Sequence, residues 1–399
     1  MFVGWDWGMG AHDVTVLDDN GDRLDQFAVK HTEEGIADAL RRLSTHATSS
    51  VMPVCIEATR GLVVDRLLAA GYPVVPVHPN AFHAARPRWG AARAKNDPGD
   101  AFKLADYLRT DAHRLPTLVP TMPETLELQA LTRMRADHLG QRIAAVNQLA
   151  ALLDTHWPGA GAIFAKLNSD ITVAFLRRYP HPESAARLTA AQLDKFCARH
   201  GYSGRRSGAE LLTRLRSAPE PASRIAAPVI ARLVRTQTDL VASIQASLDE
   251  LDTVIAEAVA NHPYASLLAD LPRIGVLNLA QIIGEVGPIL ERAISFDQLA
   301  AETGLAPVTR TSGKSHTVGF RHATNRRARQ ALITWIDNSR RASPWAAQRY
   351  IAARERGQRH PHAIRTIGRS WLRIIWACWR DKTGYDSALK QPGQNAIAA

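Results

Sequence analysis

The hydrophobic period changes along the chain, and that change limits where a sheet can form. Up to about residue 77 the apolar residues fall in short alternating or continuous runs separated by turn signals and two helical stretches, whereas from Pro98, and strongly from Pro123, they recur at steps of three, four and seven. A sheet can therefore be built only from the first part, and the remainder reads as helical. Residues 1–6 read as a buried strand ending in Asp6, and Asp13 to Leu17 as a second strand. After an Asn20-Gly21 turn comes a third near Gln26–Lys30, completing an antiparallel meander. Thr32 caps a helix through Leu43, followed by a strand at Met52–Glu57, a helix at 61–70, a strand at Val74–Val77 and helical sequence from Pro98. Three strands followed by alternating helix and strand is the order of a ribonuclease-H-like α/β sheet.

Two long helices, about 123–157 and 222–260, read as a hairpin or coiled coil, the second through Leu233, Leu240, Ile244, Leu248, Leu251 and Ile255. The expected organisation is an α/β domain at 1–122, a helical coiled-coil region at 123–260 with a subdomain inserted near 158–221, a basic helical domain at 261–390 and a polar tail at 391–399. Beyond the turn Leu271-Pro272-Arg273-Ile274-Gly275 the chain reads as an apolar helix to about Val286 and then as helical and basic. The net charge is +11, and it is localised: from Arg310 to Arg380 there are sixteen Lys/Arg against Asp337 and Glu355, while the first hundred residues are nearly balanced. Such a block is a candidate phosphate-binding surface, although arginine-rich composition alone also raises the charge. Cys55, Cys197 and Cys378 show no CxxC or zinc spacing, which indicates neither a disulfide framework nor a zinc site. The apolar runs are too short to span a membrane and the start has no basic, cleavable leader, so the expected location is the bacterial cytoplasm, in association with the nucleoid.

Four acids stand at informative places. Asp6 and Glu57 end two strands that a ribonuclease-H-like sheet sets side by side, and Asp97 and Asp100 open a helix from one face. Four convergent carboxylates repel unless something positive lies among them, and Mg²⁺, which takes hard oxygen ligands and shares its remaining positions with phosphate, fits that need. Each acid also has a local explanation: Asp97-Pro98-Gly99-Asp100 is a good helix start, and Asp6 and Glu57 can simply end strands.

Val3-Gly4-Trp5-Asp6, Cys55-Ile56-Glu57-Ala58-Thr59 and Lys95-Asn96-Asp97-Pro98-Gly99-Asp100-Ala101 resemble the three blocks of the RuvC-like Asp-Glu-Asp-Asp domain of the "IS one-ten" insertion-sequence transposases. Leu271-Pro272-Arg273-Ile274-Gly275, Gly304-Leu305-Ala306-Pro307 and Ser312-Gly313-Lys314-Ser315 are similar to that family's C-terminal transposase domain. The resemblance implies a recombinase that cuts and rejoins donor and target DNA under the guidance of a structured bridge RNA. It implies Asp6, Glu57, Asp97 and Asp100 as Mg²⁺ ligands and Ser312 as nucleophile. Arg273 and Arg60 depart from the family, standing where many members have glycine, and the 158–221 insertion is longer than in compact members.

Ser312 lies between Arg310 and Lys314 with no evident local base, and a serine hydroxyl is a poor nucleophile without one. Apart from the resemblance, Thr311-Ser312-Gly313-Lys314-Ser315 also reads as a turn that binds phosphate through backbone N–H groups. Lys95, Arg310, Lys314, Arg326, Arg327 and Arg329 are the candidate nucleic-acid contacts. Trp335, Trp345, Trp371, Trp376 and Trp379 read as the buried face of the basic helices rather than as base-stacking platforms. Three functions stay open: a serine recombinase working as a homodimer or homotetramer, a RuvC-like nuclease or junction resolvase with water as nucleophile, and a nucleic-acid-binding protein without catalysis.

Overall fold

The alternating runs near the N-terminus become a five-stranded sheet in the computed structural model, which describes residues 1–90, 97–221, 225–312 and 315–387, the side chains of Asp97 and Ser315 excepted. The strands are β1 (Phe2–Asp6), β2 (Ala11–Leu17), β3 (Arg23–Lys30), β4 (Val54–Ile56) and β5 (Val74–Pro76), in the order β3-β2-β1-β4-β5. The first three pair antiparallel through short turns, and β1, β4 and β5 pair parallel. Parallel neighbours need crossovers, and α1 (Glu33–Ser44) and α2 (Leu62–Ala69) supply them. Thr32 begins α1 by accepting the Gly35 N–H at 3.1 Å.

Alternation along each strand sends side chains to two faces. Val3, Trp5, Val14, Val16, Val54 and Ile56 meet Ile36 and Leu43 of α1 and Val63 and Leu67 of α2 on one side. Cys55, Val75 and Val77 meet Leu104 and Leu108 of α3 (Asp97–Asp111) on the other. This unit, Met1–Thr121, is thus an α/β/α sandwich. The strand expected at 52–57 stops at Ile56, so Glu57 lies just beyond it.

The rest, Met122–Ala399, forms a second unit. Its long helices are α4 (Pro123–His156) and α5 (Ala227–Asn261). Arg135 pairs with Asp252, Arg142 donates to Gln245, and Gln237 donates to the Ala145 carbonyl, so the partners descend along one helix as they ascend the other and the pair is antiparallel. The buried stripe of α5 differs from the expected one. Leu233 and Leu240 are exposed, and Ile230, Val234, Thr238 and Val241 face inward, joining Leu248 and Ile255. Short helices of the 158–221 region supply Phe175, Leu193 and Leu211 to the core that takes in Val234 and Val241.

A separate core gathers α6 (Val276–Arg292), α7 (Arg326–Ser339), α8 (Pro344–Glu355) and α9 (His360–Asp381) around Trp335 and Trp371, whose rings meet edge to face at 4.9 Å. Trp379 is also buried and Trp345 and Trp376 pack against this core, as the sequence indicated. The segment between α6 and α7 is not wholly helical, contrary to expectation: β6 (Val308–Ser312) and β7 (Ser315–Gly319) form an antiparallel hairpin. These strands are mostly exposed, so no apolar alternation marked them in the sequence. Among the described residues no helix is long and apolar enough to cross a membrane.

Candidate functional site

Asp6 closes β1, and the antiparallel register sets it directly opposite Asp13 of β2. Gly4 pairs with Thr15 on one side and Cys55 on the other. By the two-residue period, Asp6 and Asp13 follow Gly4 and Thr15 toward one end of the same sheet face, and Glu57 directly follows β4 at that end. That face is the one α3 covers. A Cβ on Gly4 would lie 2.0 Å from the Ala101 carbonyl oxygen and 2.5 Å from the Ala105 nitrogen, so only glycine admits the helix this closely. Gln26 fixes the start of α3 by donating to the Pro98 carbonyl oxygen at 2.9 Å. Asp100, one residue before Ala101, is thereby pressed toward the acidic end of the sheet.

Asp100 is almost fully buried, its side chain 4% exposed, and its two oxygens are held by Arg86 at 2.8 Å and Lys103 at 3.0 Å. A buried carboxylate needs that positive charge. Asp97 begins α3, but its side chain, like Lys95 and Lys314, lies outside the described residues. Among the described residues, which leave out the Asp97 side chain, no group of three or more His, Cys, Asp or Glu is placed to hold a metal ion. Oxygen donors at two strand ends and on a helix nonetheless fit a hard divalent cation by their chemistry. Burial, and next the charge of Glu57, pushes the Cys55 thiol far above its usual range, so this cysteine is neither nucleophile nor ligand. All three cysteines are buried.

Sequence reasoning missed Asp13, treating it only as the start of a strand. Its signal was the short Gly8-Met9-Gly10 turn, which fixes the register of β1 on β2. It also missed His12, on the opposite face of β2. The Gly8 N–H donates to His12 Nδ1 at 3.2 Å, which leaves Nε2–H to meet His31 Nδ1 at 2.9 Å. Burial, then His31, lowers the His12 pKa, so this ring is neutral and structural.

Ser312 ends β6, exposed and paired with Ser315 across the hairpin. Arg310, two residues earlier, shares its face; His316 pairs with Thr311 and belongs to the other, so the strand register gives Ser312 no imidazole base. Gly313 lies outside the described residues. At the start of α7, Asn325 accepts the Arg327 and Ala328 N–H groups. Arg326 and Arg327 are exposed, Arg327 being 3.6 Å from Asp137. Arg329 instead lies 4.6 Å over the Phe320 ring and donates to the Arg321 carbonyl, so it is partly committed to the fold.

Residues 3–158 match a family model described as a transposase, of the DEDD type of IS110, and residues 265–351 match one described as transposase IS116/IS110/IS902 family. A Streptomyces coelicolor protein named for the transposase of the IS117 mini-circle is 31% identical, over 97% of this chain and 95% of its own length. An uncharacterized 42 kDa protein of insertion element IS900 from Mycobacterium paratuberculosis is 26% identical, over 97% and 98%. An uncharacterized 44.8 kDa protein of insertion element IS116 from Streptomyces clavuligerus is also 26% identical, over 96% and 95%.

Proposed function

The chain belongs to the IS116/IS110/IS902 family of insertion-sequence transposases, and on that basis we propose that it cuts DNA by two distinct chemistries, a metal-binding carboxylate face on its first unit and the Ser312 hydroxyl on its second. The observation that supports the carboxylate half is the strand register, which sets Asp6 opposite Asp13 and brings the end of β4, just before Glu57, beside β1, on the sheet that Gly4 lets α3 and its Asp100 approach. The sheet order, with three antiparallel strands and two parallel additions, supports a ribonuclease-H or RuvC-like reading of this unit. Asp6, Glu57, Asp97 and Asp100 would hold a divalent ion, Mg²⁺ by the hardness of its donors, which when bound supplies positive charge to phosphate oxygens. Arg86 and Lys103 pair with the Asp100 carboxylate and fix its position on α3.

On the second unit, Ser312 Oγ bonds to phosphorus as the bond from phosphorus to one deoxyribose oxygen breaks. The serine proton is lost and the leaving oxygen gains one, and the reverse transfer to a new strand end rejoins DNA. Exposure of Ser312 at a hairpin tip beside Arg310 supports this reading. Guidance by a bridge RNA, and a dimer or tetramer that brings several sites to one junction, complete the proposal. The domain limits 1–122, 123–260 and 261–390, and a location with the nucleoid, belong to it as well.

A second reading has its own support: the DEDD character of the model matched by residues 3–158 and the position of His316 opposite Thr311, on the other face from Ser312, favour water as nucleophile, with Ser312 binding phosphate. Denaturing gels with labelled DNA separate the two. A covalent adduct mapped to Ser312 and lost in Ser312→Ala is the expected result; clean cleavage by Ser312→Ala would leave the water mechanism. Sequencing the RNA that co-purifies with the full chain tests the guide, and its absence from active preparations would remove that part.

A further inference from the structure

A concave site that the carboxylates and Ser312 do not use lies where the β6–β7 hairpin meets α9. Its cavity is about 250 Å³. His362, Arg365, Thr366 and Arg369, at the spacing of one helix face, form one wall; Phe320 and Arg321, just after β7, form another; the segment 304–307 closes it. The cationic side is crowded. Arg329 and Arg365 lie 4.6 and 5.1 Å over the same Phe320 ring. Gly304 makes the crowding possible: at φ +71°, it leaves open the space where a Cβ would stand 2.8 Å from Arg329 Cδ.

Nothing acidic balances this cluster. Among the described residues neither Arg321, Arg329 nor Arg365 has a carboxylate within ion-pair distance, and Arg369 reaches only Asp297, at 3.7 Å, whose side chain is 92% exposed. Arg321 is loosely tied, its terminal nitrogen 3.4 Å from the Pro307 carbonyl oxygen while its Nε meets no acceptor. Burial, and next the charge of Arg329, lowers the pKa of Arg365. Arg329 and Arg365 each gain from the ring, but the cations still repel one another in a partly desolvated place. An anion with several acceptor oxygens removes that repulsion and satisfies the free forks.

We propose that this pocket binds a backbone phosphodiester of the DNA strand being processed, phosphate against Arg365 and Arg321, with the charge of Arg329 nearby over the same Phe320 ring, and the sugar against the apolar wall of Leu305, Pro307 and Val318. Those apolar side chains offer no donor or acceptor to a 2′-hydroxyl, which favours deoxyribose over ribose. The pocket meets the hairpin at Val318 and Gly319, four residues from the Ser312–Ser315 pair. At about 3.3 Å per residue that is roughly 13 Å, or about four steps of a strand that advances 3.4 Å per phosphate. The inference rests on the chain being a DNA transposase but not on Ser312 as nucleophile.

The test uses the full-length protein and short DNA strands carrying one neutral methylphosphonate linkage at successive positions. For the wild type, one position is expected to cost about tenfold in affinity, and Arg365→Gln is expected to bind the unmodified strand about tenfold more weakly and to show no further loss at that position. Arg365→Lys restores the salt dependence but not the full affinity, since it keeps the charge and loses the fork. Unchanged melting temperatures keep misfolding from imitating the result. Equal losses at every position in wild type and Arg365→Gln overturn the proposal. So does coupling seen with RNA and not DNA, or stabilisation by inorganic phosphate alone without coupling to any strand. Because the readout is binding, coupling without a covalent adduct removes only the serine mechanism, and an adduct without coupling removes only the pocket.

Discussion

Arg273 shows how one residue can carry backbone strain inside a tight turn. The Ile274 N–H donates to the Leu271 carbonyl, Pro272 takes the second position of the turn, and Arg273 at the third has φ 56°, in the left-handed region. That is a position in which glycine is favoured. Trp335 Nε1–H donates to the Pro272 carbonyl at 3.1 Å and locks the turn over the second unit's core. Arg273→Gly is expected to leave stability unchanged or raise it by about 1 kcal/mol, relief of strain being partly offset by a freer unfolded chain. A drop in denaturant midpoint would show that the arginine side chain contributes more than its backbone costs. Asp25 gives the matching acid-side prediction. Arg42 holds it at 2.7 and 2.6 Å and His46 at 3.1 Å, and the Arg42 hydrogen bond, before the other causes, depresses its pKa below the usual 3.8. Its contribution is therefore complete above the unfolded value and is lost as pH falls through the lower folded one. Asp25→Asn is expected to cost about 1 kcal/mol at neutral pH, and wild type and variant to converge as pH falls below the usual carboxylate range. Parallel curves down to pH 2 would remove the assignment.

At the scale of elements, α3 is the piece that turns a sheet into a site. Gly4→Ala would place a Cβ 2.0 Å from the Ala101 carbonyl oxygen, so α3 must move and carry Asp100 with it. A cost of about 1–3 kcal/mol and loss of DNA cleavage are expected, with Gly10→Ala, which meets nothing within 4 Å, as the control that changes neither. Cleavage retained by Gly4→Ala, measured on folded protein, would mean that the spacing of β1 and α3 does not set the chemistry. The α5 stripe teaches the complementary lesson. Leu233 and Leu240 precede Val234 and Val241 by one residue each, so two apolar stripes lie side by side in the sequence. Which one turns inward is decided by the 158–221 helices that supply Phe175 and Leu211 to the same core.

Over the whole molecule the charge is divided sharply. The first unit holds 13 Lys/Arg against 15 Asp/Glu; of the chain's 49 and 38, the second therefore holds 36 and 23. A unit that is acidic overall carries the carboxylate face, and one with a surplus of thirteen cations carries Ser312. Counterion release should then come chiefly from the second unit. Arg326→Gln is expected to reduce the salt slope of DNA binding by about 0.9, and Arg327→Gln by less, because Asp137 already lies 3.6 Å from it. Titrations of binding against salt read both, and an unchanged slope in Arg326→Gln would place that arginine away from phosphate.

Local signals determined the α/β beginning, the long helices, the buried tryptophans and the basic C-terminal region. Period, caps and turns act over a few residues, so Thr32, Asn20-Gly21 and the runs around Val54 and Val74 were legible without knowing what they pack against. The exposed β6–β7 hairpin was not, since strands that bury little leave no alternation to read. Only tertiary structure set Asp13 opposite Asp6, gave Asp100 to Arg86 and Lys103, and gathered Arg321, Arg329 and Arg365 around Phe320. Each of those depends on register or on packing between segments far apart in the chain, and a linear pattern records which residues are apolar or charged but not which of two adjacent stripes, or which distant cation, will meet them.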